Sequence, residues 1–184
     1  KLIASNGPKA LYMENLAGAQ YKSGDKKGYL ATTTRLIKSD PSPARWKVLL
    51  TELQGHNMRS EAKLALYHLM LTTGTLARPQ DWQDFAKLAM INGQAGVAKA
   101  ALDKTGGGTD QMSQKLAAAA AAGIAREGAG AVKMSSSPAT AFKGGNAYLS
   151  LGDYPKAIAA YDKAIAANGP DAQYARVFKG IAAT

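Results

Sequence analysis

Cysteine is missing altogether from this 184-residue chain, and histidine occurs only twice, at His56 and His68. The first absence excludes disulfides, thiolate nucleophiles and cysteine-ligated zinc or iron–sulfur centres. The second leaves too few imidazoles for common zinc sites, which take about three protein ligands. No His-x3-His or Glu-x-x-His spacing occurs either. A catalytic triad needs an activated nucleophile, a base and an orienting acid. Tyr67-His68 with Glu61 is a weak candidate, and His68 reads better as an ordinary helix residue. Aromatic residues make up only 7% of the chain, and none alternates with the scattered cations as a base-stacking platform requires, which disfavours nucleic acid as a partner. Runs of Val, Ile and Thr with period two are lacking, which disfavours β-structure. No apolar run approaches the ~20 residues that cross a bilayer. The stretch from Leu116 through six alanines to Ala122 is too short and too weakly apolar for that. Leu2-Ile3-Ala4 is also far too short for the core of a secretory leader.

What is present favours helix. Hydrophobic residues make up 46% and charged residues 20%, enough for a buried core. Alanine is abundant, and it gives up no side-chain entropy in a helix. The formal charge is +10. Twelve basic against five acidic residues stand in 1–78, and eleven against eight in the remainder. A net basic surface suits an acidic partner, although singly scattered cations also serve solubility alone.

The chain repeats. Ile3-Ala4-Ser5-Asn6-Gly7-Pro8-Lys9-Ala10-Leu11-Tyr12 matches Ile165-Ala166-Ala167-Asn168-Gly169-Pro170-Asp171-Ala172-Gln173-Tyr174, 162 residues later. Each reads as a helix end, an Asn-Gly cap with left-handed backbone, and a proline opening the next helix. Glycine also punctuates helical stretches at Gly24-Asp25, Gly93-Gln94 and Gly152-Asp153. Gly24 and Gly93 are 69 residues apart, close to two periods of ~34. Gly93 and Gly152 are 59 apart, so an irregular element lies between them. Gly106-Gly107-Gly108 reads as a hairpin loop rather than a phosphate cradle, since no Gly-Lys-Ser/Thr follows. Ser135-Ser136-Ser137-Pro138 reads as linker and cap. The punctuation predicts helices over 10–22, 26–38, 43–54, 59–73, 79–91, 95–104, 110–126, 138–151, 154–167 and 171–183.

The stretch from Gly145 to Ile165, with Ala147, Tyr148, Gly152, Ala157, Tyr161 and Ala164 followed by Pro170, resembles a tetratricopeptide repeat. Leu16, Ala19, Gly24, Leu36 and Pro41 keep the spacing of a degenerate unit. Trp46, Leu49 and Ala62 mark a second, and Trp82, Phe85, Gly93 and Ala98 a third. The resemblance implies an all-α, right-handed superhelical solenoid of antiparallel helix hairpins. It would be one continuous solenoid, with degenerate repeats over 1–104, an irregular Ala-rich helix and linker over 105–137, and a clear repeat plus one further helix over 138–184. Gly24 to Leu30, and Arg78-Pro79-Gln80-Asp81-Trp82 through Lys104, are also similar to exported tetratricopeptide proteins of Gram-negative bacteria. That implies a periplasmic or secreted setting with the leader removed, a cytoplasmic one being left open. Both ends of the sequence read as falling inside repeats, which predicts a longer natural polypeptide or a neighbouring subunit over the open end.

The expected function is therefore a non-catalytic scaffold binding a protein or peptide segment, an acidic one by net charge, in an envelope assembly. A self-associating subunit of an oligomer or filament is the alternative. No catalytic, metal or cofactor residues are expected. In the family, first helices line a concave groove. Carried onto this chain, its ligand-facing positions are Glu14, Tyr21 and Lys22, then Lys47, then Gln83, Lys87 and Met90, and finally Phe142, Asn146 and Leu149. Only Lys47, Lys87 and Asn146 echo the family's basic clamp for peptide carboxylates.

Overall fold

The structure is a computed structural model, and it describes residues 9–106 and 110–184. The first copy of the Asn-Gly-Pro motif and Gly107-Gly108-Thr109 of the expected loop lie outside the described residues. Ten helices and no strand occur among the described residues. In chain order they are α1 Ala10–Ser23, α2 Lys26–Ser39, α3 Pro43–Gln54, α4 Ser60–Thr72, α5 Pro79–Ile91, α6 Ala95–Asp103, α7 Gln111–Ser136, α8 Ala141–Ser150, α9 Tyr154–Ala166 and α10 Ala172–Ala182. The chain is all-α, as its composition and punctuation predict.

The helix boundaries follow the capping rules. Gly24, Gly93 and Gly152 carry φ of 76°, 69° and 75°, a left-handed turn that costs a glycine little. Pro43, Pro79 and Pro155 occupy first-turn positions, where a missing N–H is no loss. Asp25, Ser42, Asp110 and Asp153 each accept a backbone N–H three residues on. One boundary departs from the sequence reading by more than three residues. Helix α7 runs ten residues past 126, through Gly128 and Gly130 to Ser136. Glycine weakens a helix interior by only ~1 kcal/mol each, and α7 is held by packing on α6 and α8.

The chain divides into two compact units. The described part of the first comprises 9–57 with 70–75. There α1 packs on α2, and α2 on α3, around Met13, Leu36, Ile37, Leu49 and Leu50. Arg45 joins Glu14 at 2.6 Å and also pairs with Asp40.

The second unit comprises 58–69 with 76–184, less the undescribed 107–109. Helices α5 to α10 each pack on the next, and contacts also run two helices along: α5 with α7, α6 with α8, α7 with α9 and α8 with α10. The core combines alanines at the crossings (Ala86, Ala89, Ala98, Ala157, Ala160) with Phe85, Leu102, Tyr161 and Phe178. The crossings are close. A Cβ placed on Gly145 of α8 would lie 2.4 Å from the Tyr161 ring of α9, and one on Gly144 would lie 2.5 Å from the Ser135 nitrogen of α7.

Candidate binding cleft

In the second unit a cleft of about 360 Å³ opens between the C-terminal end of α5 and the face of α8. Met90, Ile91 and Asn92 supply one side, and Phe142, Lys143 and Asn146 the other. Glu127 and Met134 of α7 line it too, as do Ser60 and Glu61 at the start of α4 and Asp171 just before α10. Its floor is apolar because α8 turns Phe142 inward, 6.0 Å from the Tyr161 ring and 5.8 Å from Phe178, centroid to centroid. Ile91 stands at the rim with 71% of its surface exposed.

Asn146 carries the polar geometry of the floor. Its side chain is buried, its Nδ2 donates to the Asn92 carbonyl at 2.9 Å, and its Oδ1 accepts from the Tyr161 hydroxyl at 2.9 Å. One amide therefore joins the end of α5, the middle of α8 and α9. Burial pushes the Tyr161 phenol well above its ordinary pKa, so it remains a donor.

A second knot lies alongside. Helix α6 begins with no side-chain cap from Gln94. Both carboxylate oxygens of Glu127 instead accept the Ala95 N–H, at 2.8 and 2.9 Å. Ser150 accepts the Gly96 N–H at 2.6 Å and donates to Glu127 at 2.8 Å. The positive end of the α6 dipole is thus met by a carboxylate from α7. Burial raises the Glu127 pKa, against the opposing bonds from Ala95 and Ser150.

Glu61 and Asp171 flank one guanidinium, that of Arg59, at 2.9 and 3.9 Å. Arg59 also lies over the Tyr174 ring, 5.2 Å from its centroid. Burial pushes the Glu61 carboxyl up, but its own backbone N–H and Arg59 outweigh this, so its pKa falls below the ordinary value. Among the described residues no three His, Asp or Glu side chains are placed to hold a metal ion.

The residues singled out from sequence divide as follows. Met90, Phe142 and Asn146 line the same cleft. Leu149 sits in the core at 5% exposed. Gln83 is tied to the α7 cap, donating to Asp110 and Ser113 at 2.8 Å each, beside a separate pocket shared with Trp82. Lys87 lies 3.5 Å from Asp84. Tyr21, Lys22 and Lys47 belong to the first unit and are exposed, with the Tyr21 ring against Tyr29 at 5.5 Å. Glu14 is engaged by Arg45. His68 is buried, its Nε2 3.0 Å from Gln94 Oε1 and its ring edge-on to Phe85 and Phe178. Burial lowers its pKa, so it is a neutral packed residue. Asp81 is paired with Arg78 at the start of α5, at 2.7 Å.

Glu127 and Ser150 escaped the sequence reading. One signal was available: Glu127 is the lone acid between Asp110 and Asp153. Among the described residues no helix is long and apolar enough to cross a membrane. No protein-family model, curated protein or solved structure matches the chain.

Proposed function

We propose that the chain is a non-catalytic interaction scaffold of the tetratricopeptide kind, a right-handed solenoid of antiparallel hairpins that takes a protein segment in the cleft of its second unit. One observation carries this reading: Met90, Phe142 and Asn146, assigned as ligand-facing in two different repeats, line a single cleft. Within α5 to α10 the packing of each helix on neighbours one or two along supports it as well, since stacked repeats touch adjacent repeats. A volume of about 360 Å³ stands at the low end of the range for small-molecule sites and suits an anchoring side chain or two. The envelope setting rests on the resemblance alone.

The test is panning of a displayed dodecapeptide library against the intact chain. Ile91→Asp places a charge at the rim, on a side chain that is already exposed, and leaves the core alone. Clones that bind the cleft should lose affinity severalfold or more to this variant, because a segment seated there must strip water from the new carboxylate without pairing it. Clones that all bind Ile91→Asp as well as the parent would refute the cleft as the binding surface.

A further inference from the structure

We propose that the segment accepted by the cleft is basic, with an apolar side chain over Met90, Met134 and Phe142 and a lysine or arginine at the Glu61–Asp171 end. This rests on the scaffold reading and names its partner class. The net charge of +10 predicts the opposite, an acidic partner. Charge at the cleft is inverted: Glu61, Glu127 and Asp171 line it against Lys143 alone. Two other pockets each balance one carboxylate with one cation: Glu14 with Arg45 in a pocket among α1, α2 and α3, and Asp110 with Lys104 in the pocket beside Trp82.

The three carboxylates are not equivalent. Glu127 is spent on the start of α6. Glu61 and Asp171 face a cation already, because Arg59 reaches both from outside the cleft lining. That arrangement displays the geometry the pair selects, a guanidinium held between two carboxylates. Arg59 is 56% exposed and Asp171 39%, so water and an incoming cation have access to the pair. Glu61 stays ionised at neutral pH, its carboxyl being held down by its own N–H and by Arg59 despite burial. Two carboxylates share the one Arg59 guanidinium, so a lysine or arginine entering from the cleft meets carboxylate charge that Arg59 offsets only in part, beside an apolar floor, and an acidic segment is disfavoured there.

Panning at moderate salt decides it, using clones that lose binding to Ile91→Asp. Lysine and arginine should outnumber aspartate and glutamate in those clones. Their affinity should fall about three- to tenfold for the Glu61→Gln/Asp171→Asn double variant, checked for parental helicity, as expected for a pair of partly exposed charges. Affinity should rise for Arg59→Gln, which frees both carboxylates and removes a competing cation. Clones sensitive to Ile91→Asp that are acidic or neutral, or that bind the double variant and Arg59→Gln like the parent, would overturn the basic-segment inference and leave the scaffold reading standing. Absence of any clone sensitive to Ile91→Asp would remove both.

Discussion

Gly145→Ala isolates the packing on which the second unit depends. Alanine would put a methyl group 2.4 Å from Tyr161 Cε1 and 2.6 Å from its Cδ1, far inside contact distance. The ring has little room to yield: Tyr161 is 0% exposed, its hydroxyl is tied to Asn146 at 2.9 Å, and Phe142 and Phe178 stand 6.0 and 6.2 Å from its centroid. Overpacking in such a place costs about 1–3 kcal/mol, here at the upper end. Helix propensity returns about 1 kcal/mol. The expected net loss is about 2 kcal/mol, or a Tm lower by about 4–8 °C for a chain of this size. Gly128→Ala is the control, since the nearest atom to its methyl group is Leu151 Cδ1 at an ordinary 3.9 Å. That variant should gain up to about 1 kcal/mol. The two tryptophans separate the units, Trp46 in the first and Trp82 in the second. Urea unfolding followed by Trp82 fluorescence in a Trp46→Phe background therefore reads the relevant unit. The cost of Gly145→Ala should also shrink in a Tyr161→Leu background, where the two changes couple. A Gly145→Ala protein that is stabilised like Gly128→Ala, with no coupling to Tyr161, would refute the argument that the ring demands glycine.

Glu127→Ala should cost about 1–3 kcal/mol through lost charge-assisted bonds, and hydrogen exchange should accelerate at the Ala95 and Gly96 amides, which Glu127 and Ser150 now hold. Burial holds the Glu127 carboxyl above its ordinary value, so between the two values the folded state binds a proton that the unfolded state has released. The stability that comes from this raised pKa is fully present below about pH 4.5 and is lost as pH rises through the raised value. Glu127→Gln should abolish that part of the pH dependence in chemical unfolding. His68 works in the opposite sense. Burial depresses its pKa below 6.5, so its contribution is present above that pH and is lost as pH falls toward the depressed value. In His68→Gln the acid-side decline in stability should be smaller, and an unchanged decline would show that other groups cause it.

The sequence made the helices legible because their signals are local. Pro43 and Pro79 mark starts, and Gly24, Gly93 and Gly152 mark ends, each within a residue or two of the helix it delimits. Asn168 takes the left-handed φ of 50° that the Asn-Gly motif implies. The following proline is displaced, however: α10 opens at Ala172 rather than at Pro170, after an Asp171 that supplies no side-chain cap. The end of α7 was illegible for a related reason. Gly128 and Gly130 look like stops, yet what decides is the α8 surface, close enough that Gly144 can carry no side chain against Ser135. Of the residues that family spacing singles out, Met90, Phe142 and Asn146 line the cleft while Leu149 is buried and Gln83 lines a separate pocket, because spacing along a helix does not say which residues a neighbouring helix covers. Net charge points to an acidic partner while the cleft lining points to a basic one, because a sum over the surface carries no information about which carboxylates share one cleft.

The knot at the start of α6 shows the limit of local reading most sharply. Helix α6 has nine residues, too few to persist in water by propensity alone, and the residue in its capping position, Gln94, makes no cap bond. A search for caps looks within about three residues of a helix start. The groups that satisfy Ala95 and Gly96 arrive from 32 and 54 residues further along the chain. They can do so only once α7 and α8 are already packed, so the order of α6 depends on tertiary structure rather than preceding it. Such coupling also bears on the cleft. Glu127 lines it, and Asn146, on the same helix as Ser150, forms its polar floor. A substitution that frees the start of α6 should therefore loosen α7 and α8 together and weaken binding at the cleft without removing any side chain that a bound segment would touch at Phe142 or Ile91.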